Sequence, residues 1–327
     1  MRRKWIYVLP AFAVAAAALG AAVWRHDSAA PSAPSQLPAT VMIEMDRKPA
    51  LAPASGAAET DFTAAPQARQ GVAPVLRDAV LLPQAWMAHA APPPDASPMP
   101  MIAIVMDDVG INPARTAGVL DLPAAVTLAL LPYARDAAGI AARARAKGHE
   151  LLVHLPMEAE GREDPGPRAL RYGQPPDAFS ANLEWNLSRF SGYVGVNNHM
   201  GSRLTRDPAA MEILQRRLRR RGVLFLDSRT TAATVAASVA RANGVTTLER
   251  DVFLDNSLTA ENIQAQMHRT ETEARRRGYA IAIGHPHAAT IEAVGAWAES
   301  LHARGFALVP LTSVTRLTTG AQTVARH

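Results

Sequence analysis

The chain has 327 residues, 48% apolar and 19% charged, with no cysteine; this excludes full disorder, disulfide scaffolds, thiolate metal sites and cysteine nucleophiles. Glycine is too sparse for collagen and no long heptad run exists for a coiled coil, so metal chemistry, if present, falls to carboxylates and the ten histidines. The net charge of +5 does not signal a nucleic-acid partner, because the basic runs at 216–221 and 275–277 each stop at a glycine, where cations sit at a helix C-terminus.

The N-terminus reads Arg2, Arg3, Lys4 and then an uncharged stretch over 5–24, closed by Arg25, His26 and Asp27. Twenty helical residues span about 30 Å, the thickness of a bilayer core. Residues 1–27 are therefore expected to be a membrane anchor, with Trp5, Tyr7 and Trp24 near its two ends. A cleaved signal ending near Ala18-Leu19-Gly20 is the alternative. The anchor predicts an inner-membrane protein with its domain in the periplasm, and the cleaved signal predicts a secreted periplasmic one. Residues 28–100 hold 19 alanines and 13 prolines without sustained periodicity and are expected to form an extended linker. Within it, 75–87 is more apolar and predicts a short fluctuating helix, with docking on the domain or on a partner as the other reading.

From residue 101 one unit recurs: a helical segment, one glycine, then an apolar run that reads as a strand. The glycine is Gly148, Gly222, Gly244, Gly278 or Gly305, usually after a basic last turn, and left-handed C-caps are expected there. Asp207-Pro208 supplies an N-cap and first residue for the helix ending at Gly222. Adding runs at 102–106, 126–131 and 193–196 predicts an α/β fold, a distorted (β/α) barrel of about seven to eight mainly parallel strands over 101–317. Residues 318–327 read as a flexible tail. Dinucleotide and P-loop glycine motifs, GxSxG and HExxH are all absent.

The polar residues fall at strand ends. Asp107 and Asp108 follow Ile-Val-Met, His154 follows Leu-Leu-Val, and Asn197, Asn198 and His199 follow Val-Gly-Val. Asp227, Ser228 and Arg229 follow Leu-Phe-Leu, Asp251 and Asp255 lie in or after 250–254, and His285 and His287 follow Ile-Ala-Ile-Gly. In a parallel barrel these ends converge on one face, which points to a metal or acid–base centre. Each has a plainer reading: an Asp pair as a helix cap, a single histidine as a satisfied core residue, Asp227 and Arg229 as a supporting ion pair. His149, His268 and His302 are expected at the surface or at helix ends.

Five motifs in order, Met106-Asp107-Asp108-Val109-Gly110, His154-Leu155-Pro156-Met157-Glu158, Asn197-Asn198-His199-Met200-Gly201-Ser202, Leu226-Asp227-Ser228-Arg229-Thr230 and Gly284-His285-Pro286-His287, resemble the divergent polysaccharide deacetylase family. That family is related to the NodB-type carbohydrate esterases, which carry a zinc ion in a distorted barrel. The resemblance implies Asp107 as general base, a metal-bound water as nucleophile, His285 as general acid, and a divalent metal, zinc, held by Asp108 and His154. Glu158 stands where the second histidine of the family's His-x-x-x-His belongs, so the third ligand is either His199 from the next strand or Glu158 itself. Asp227, Arg229, His287 and Asn198 are the further candidates for ligation or support. The implied substrate is an envelope or exported amino-sugar polymer, peptidoglycan-like glycans included, cleaved at its N-acetyl groups. The other reading is a non-catalytic envelope protein that uses the barrel to bind glycan or a protein partner. Tyr133, Tyr172, Trp185 and Tyr193 are the aromatics expected nearest that face, with a core role the first reading for Tyr193, and the Gly/Pro-rich loop 158–174 is either a cover or an ordinary excursion.

Overall fold

The computed structural model describes residues 84–93 and 98–315. A short helix α1 (Trp86–His89) precedes β1 (Met101–Val109), α2 (Pro113–Leu120), β2 (Thr127–Leu130), α3 (Ala137–Ala146) and β3 (Leu151–Met157). Then come α4 (Pro176–Leu187), β4 (Gly195–Met200), α5 (Pro208–Arg221), β5 (Leu224–Asp227), α6 (Ala236–Ala242), β6 (Thr247–Glu249) and β7 (Val252–Phe253). The chain continues through α7 (Ala260–Arg277), β8 (Tyr279–Gly284), α8 (Ala288–Ser300) and β9 (Ala307–Leu308). The caps are those expected: Asp207 accepts from the Ala209 N–H, and Gly222 and Gly278 close α5 and α7 at φ 65° and 83°.

All strand pairings are parallel, in the order β6-β5-β4-β3-β2-β1-β8-β7, with β9 on the first residues of β1. The two ends of this order are two residues apart in sequence, so the sheet has to curl. Arg250 N–H donates to Asp227 O of β5 and Asp251 N–H to Ile281 O of β8. One segment thus leaves one edge and joins the other, and the seam is closed by that crossing in place of a ladder. The result is a curled, half-closed parallel barrel. It has nine strands among the described residues against the seven to eight expected, because the seam segment splits into β6 and β7 as it changes partner.

Alternation along the strands separates two apolar layers. Ile102, Ile104, Met106, Val153 and Phe225 pack outward under the helices, while Ala103, Val105, Leu152, Leu226, Leu248, Ile281 and Ile283 fill the concave side. Trp86 joins the inner layer from outside the barrel; it is 1% exposed, and its backbone N–H donates to Gly222 O. The buried Glu150 carboxylate at the start of β3 accepts from the N–H groups of Ala91 and Thr312. Part of the expected linker therefore packs on the domain, at the end where the strands begin. The expected membrane segment lies outside the described residues, among which no helix is long and apolar enough to cross a membrane.

Candidate metal centre

The strand ends deliver their inward positions to one place. Alternation alone would send Asp107 and Asp108 to opposite faces. The β1–β2 register slips between Met106 and Val109, and Asp108 takes φ 55°, so this bulge brings both carboxylates to the concave side. His154 of β3 pairs in register with Asn197 of β4, and His199 stands two residues further along the same face.

Asp108 Oδ1, His154 Nε2 and His199 Nδ1 form a triangle: 3.1 Å from carboxylate to His154, 2.8 Å to His199, and 3.2 Å between the rings. A tetrahedral ion with bonds of about 2.0–2.1 Å holds its donors about 3.3 Å apart, so these atoms match one face of such a site. Asp108 Oδ1 is buried, and neither neighbouring ring aligns a hydrogen bond on it. A buried oxygen without an aligned proton beside two imidazole nitrogens suits a cation better than a hydrogen-bond network. Burial would raise Asp108, but the two rings outweigh it and hold the carboxyl well below the usual range.

Behind the triangle stands Asn197. Its carbonyl oxygen accepts from His154 Nδ1 at 2.9 Å, which leaves Nε2 to present its lone pair. Its amide donates to Asp107 Oδ1 at 2.8 Å and to Ser228 Oγ at 3.2 Å. Asp107 lies with Oδ2 3.6 Å from His154 Nε2. Burial pushes its carboxyl upward, with the His154 and His285 charges opposing.

His285 follows β8 at the next inward position beside Asp107, since Met106 pairs with Gly284. Asp255 holds it twice: Oδ1 accepts from ring Nδ1 at 2.9 Å, and Oδ2 accepts from the backbone N–H at 2.6 Å. Thr290 Oγ1 donates to the same Oδ2 at 3.0 Å. Burial works against the imidazolium, but the Asp255 bond and the charges of Asp107 and Asp108 prevail and push His285 up to about 9.

The other expected residues stand apart from the triangle. The Glu158 carboxylate accepts from the Tyr172 N–H at 2.6 Å and from Arg203 at 3.0 Å, so it clamps the loop 158–174 and His199 completes the ligand triangle. Asp227 faces outward, accepting from the Arg229 N–H and the Thr234 hydroxyl. Arg229 lies toward Glu249 at 3.8 Å. Asn198 ties β4 to the loop after β5, donating to Met200 O and accepting from the Ser228 N–H. His287 precedes α8, its ring 6.4 Å from that of His285. Tyr133 is raised to about 12 by burial and by the charges of Asp108 and Asp164; it also packs against Gly166, so the loop borders the site through it. Tyr193 is a core residue, as expected. His149 stands at the end of α3, as expected, its backbone N–H donating to Ala144 O, but it is fully buried there between the Val126 and Leu120 carbonyls. Asn197 and Asp255 stood among the polar strand ends without an assigned role; counting in twos from Gly195 and Phe253 along the inner face would have turned both toward the site.

The chain is 38% identical over 190 residues to the uncharacterized protein YibQ of Escherichia coli K12, over 58% of this chain and 60% of that one. It thus spans less than two thirds of that relative's length. An uncharacterized protein of Haemophilus influenzae is 35% identical over 203 residues, 61% of this chain and 71% of its own. The crystal structure of the uncharacterized protein ATU2773 from Agrobacterium tumefaciens C58 superposes with a TM-score of 0.68 at 28% identity, covering 70% of this chain and 94% of that one. The family profile described as divergent polysaccharide deacetylase matches residues 104–315, and the chain, with its curled barrel and paired aspartates, belongs to that family.

Proposed function

We propose that the protein is a metal-dependent hydrolase that removes N-acetyl groups from an amino-sugar polymer of the cell envelope. The observation that carries this reading is the Asp108–His154–His199 triangle standing beside Asp107 and the Asp255-held His285. Those three residues would hold one divalent ion, with zinc suited to a carboxylate and two imidazoles, and the ion would supply Lewis acidity toward the acetyl carbonyl and a water.

The chain's own groups divide the proton transfers. Asp107, buried and held by Asn197, accepts the proton of the attacking water; a carboxylate of raised pKa is the stronger base. His285 keeps its proton at neutral pH and delivers it to the amide nitrogen as the C–N bond breaks, which releases acetate and the free amine. Asp255 fixes the ring and stabilises its charge, and Asn197 fixes both the His154 tautomer and the base.

The test is acetate release from acetylated chito-oligosaccharides and from peptidoglycan fragments by the purified full-length protein supplied with zinc. Release that stops in Asp107→Asn and in His285→Ala, while both variants keep their metal, supports the assignment. A metal-loaded wild type that binds these glycans and releases no acetate supports the non-catalytic binding role in its place.

A further inference from the structure

Arg250 differs from the other arginines near the site. Its Nε donates to Ser228 O at 2.6 Å and its Nη2 to Arg229 O at 2.8 Å. Its guanidinium lies 3.7 Å over the Phe253 ring, and Phe253 in turn packs against His285 with centroids 5.8 Å apart. Among the described residues no carboxylate stands within ion-pair distance of it, and no acceptor engages Nη1. It does not line the neighbouring pocket at the seam, whose walls include Arg229, Arg241, Leu248, Glu249, Asp251 and Arg277. Phe253, on whose ring the guanidinium lies, packs against the inner layer, which sets Arg250 beside the catalytic face.

A cation in such a place is unusual. Burial, with the Arg229 charge, draws it down to about 10 against the more distant charges of Asp227, Asp107 and Asp251, and it remains ionised at neutral pH. Partly buried charges are normally matched by a direct partner. Here the inner edge of the guanidinium is spent on two carbonyls and one face on an aromatic ring, which leaves Nη1 and the second N–H of Nη2 as a terminal fork of donors. That fork has the geometry that grips a carboxylate through two parallel hydrogen bonds. Ser228, whose carbonyl holds Arg250, accepts through its hydroxyl from Asn197, the residue that holds Asp107. The guanidinium is therefore wedged between the support of the base on one side and the Phe253–His285 stack on the other.

We propose that Arg250 is a subsite for an anion on the catalytic face, and that the polymer carries a carboxylate on or next to the sugar whose acetamido group is cleaved. One aromatic ring separates the guanidinium from His285, a span within reach of a substituent on the same or the adjoining pyranose. This deepens the deacetylase reading and rests on it for the nature of the sugar.

The test is calorimetric binding of tri-N-acetylchitotriose, and of the same trisaccharide carboxymethylated at O3 or at O6 of one sugar, to the full-length protein, with acetate release followed separately. A bidentate charged pair predicts that at least one carboxymethyl isomer binds about 10- to 100-fold tighter than the neutral sugar at low salt. In Arg250→Gln the affinities for the charged and neutral sugars converge, and in Arg250→Lys the preference falls between. Equal affinities in the wild type, which needs no variant to interpret, overturn the proposal; so does a preference that survives intact in a folded Arg250→Gln. If the preference is present and no acetate is released from any sugar, the anion subsite stands and the deacetylase reading fails. Acetate release without a preference has the opposite meaning.

Discussion

At the scale of single residues, the site depends on who holds whom. Asp108, His154 and His199 each present one donor to a common point, so alanine at any of them should empty the site as judged by bound metal. Asn197 contributes no donor to the triangle but fixes the His154 tautomer. Asn197→Ala is expected to keep the fold and weaken zinc affinity about 10- to 100-fold, as losses of such supporting partners do; unchanged affinity in a chelator competition would remove it from this role. The His285–Asp255 pair makes a pH prediction. The imidazole titrates at about 9 against an ordinary 6.5, so its proton is available below about 9 and activity should fall as pH rises through that value. The same sign holds for stability: the pair's contribution is full below 6.5 and is lost as pH rises through about 9. Asp255→Asn removes the charge and should move the alkaline limb of kcat/KM toward acid by about 1–2 units; a limb that stays in place would show that another group limits the rate.

At the scale of elements, much of the fold was legible. Helix, glycine and apolar run recur because a left-handed cap ends each helix before a buried parallel strand, and Gly222 and Gly278 adopt that conformation. The polar strand ends were legible as well, since a carboxylate or imidazole after three apolar residues stands out. Two things were not. The seam segment carries too few residues per partner for any period to show, so β6 and β7 read as one stretch around 245–254. Trp86 sat in an Ala/Pro-rich setting that reads first as a fluctuating helix in a linker, and the packing favours the docking reading by placing it over the inner layer. It follows that Trp86→Ala should destabilise the domain by about 3–5 kcal/mol in urea unfolding, with metal content unchanged because the triangle lies at the other ends of the strands. A stability within about 0.5 kcal/mol of wild type would mean that α1 is not part of the folded unit.

At the scale of the whole molecule, the chain enters the barrel on one face and presents its candidate chemistry on the other. Trp86, Ala91 and Glu150 mark the face where strands begin, and Asp107, His154, His199 and His285 the face where they end. We propose, from the basic flank and the uncharged stretch 5–24, that a membrane anchor precedes the linker and places the domain in the periplasm. Full-length protein should then stay with membranes after carbonate washing and be released by deletion of 1–27; recovery of the intact chain in the soluble fraction would favour a cleaved signal or no anchor. On the proposed mechanism, three side chains from three strands hold one catalytic ion. The most direct measurement is elemental analysis of the full-length protein beside Asp108→Ala, His154→Ala and His199→Ala. The prediction is about one divalent ion per wild-type chain, lost in each variant with the fold retained. A folded wild type that takes up no ion after incubation with zinc would contradict it, and the deacetylase mechanism with it.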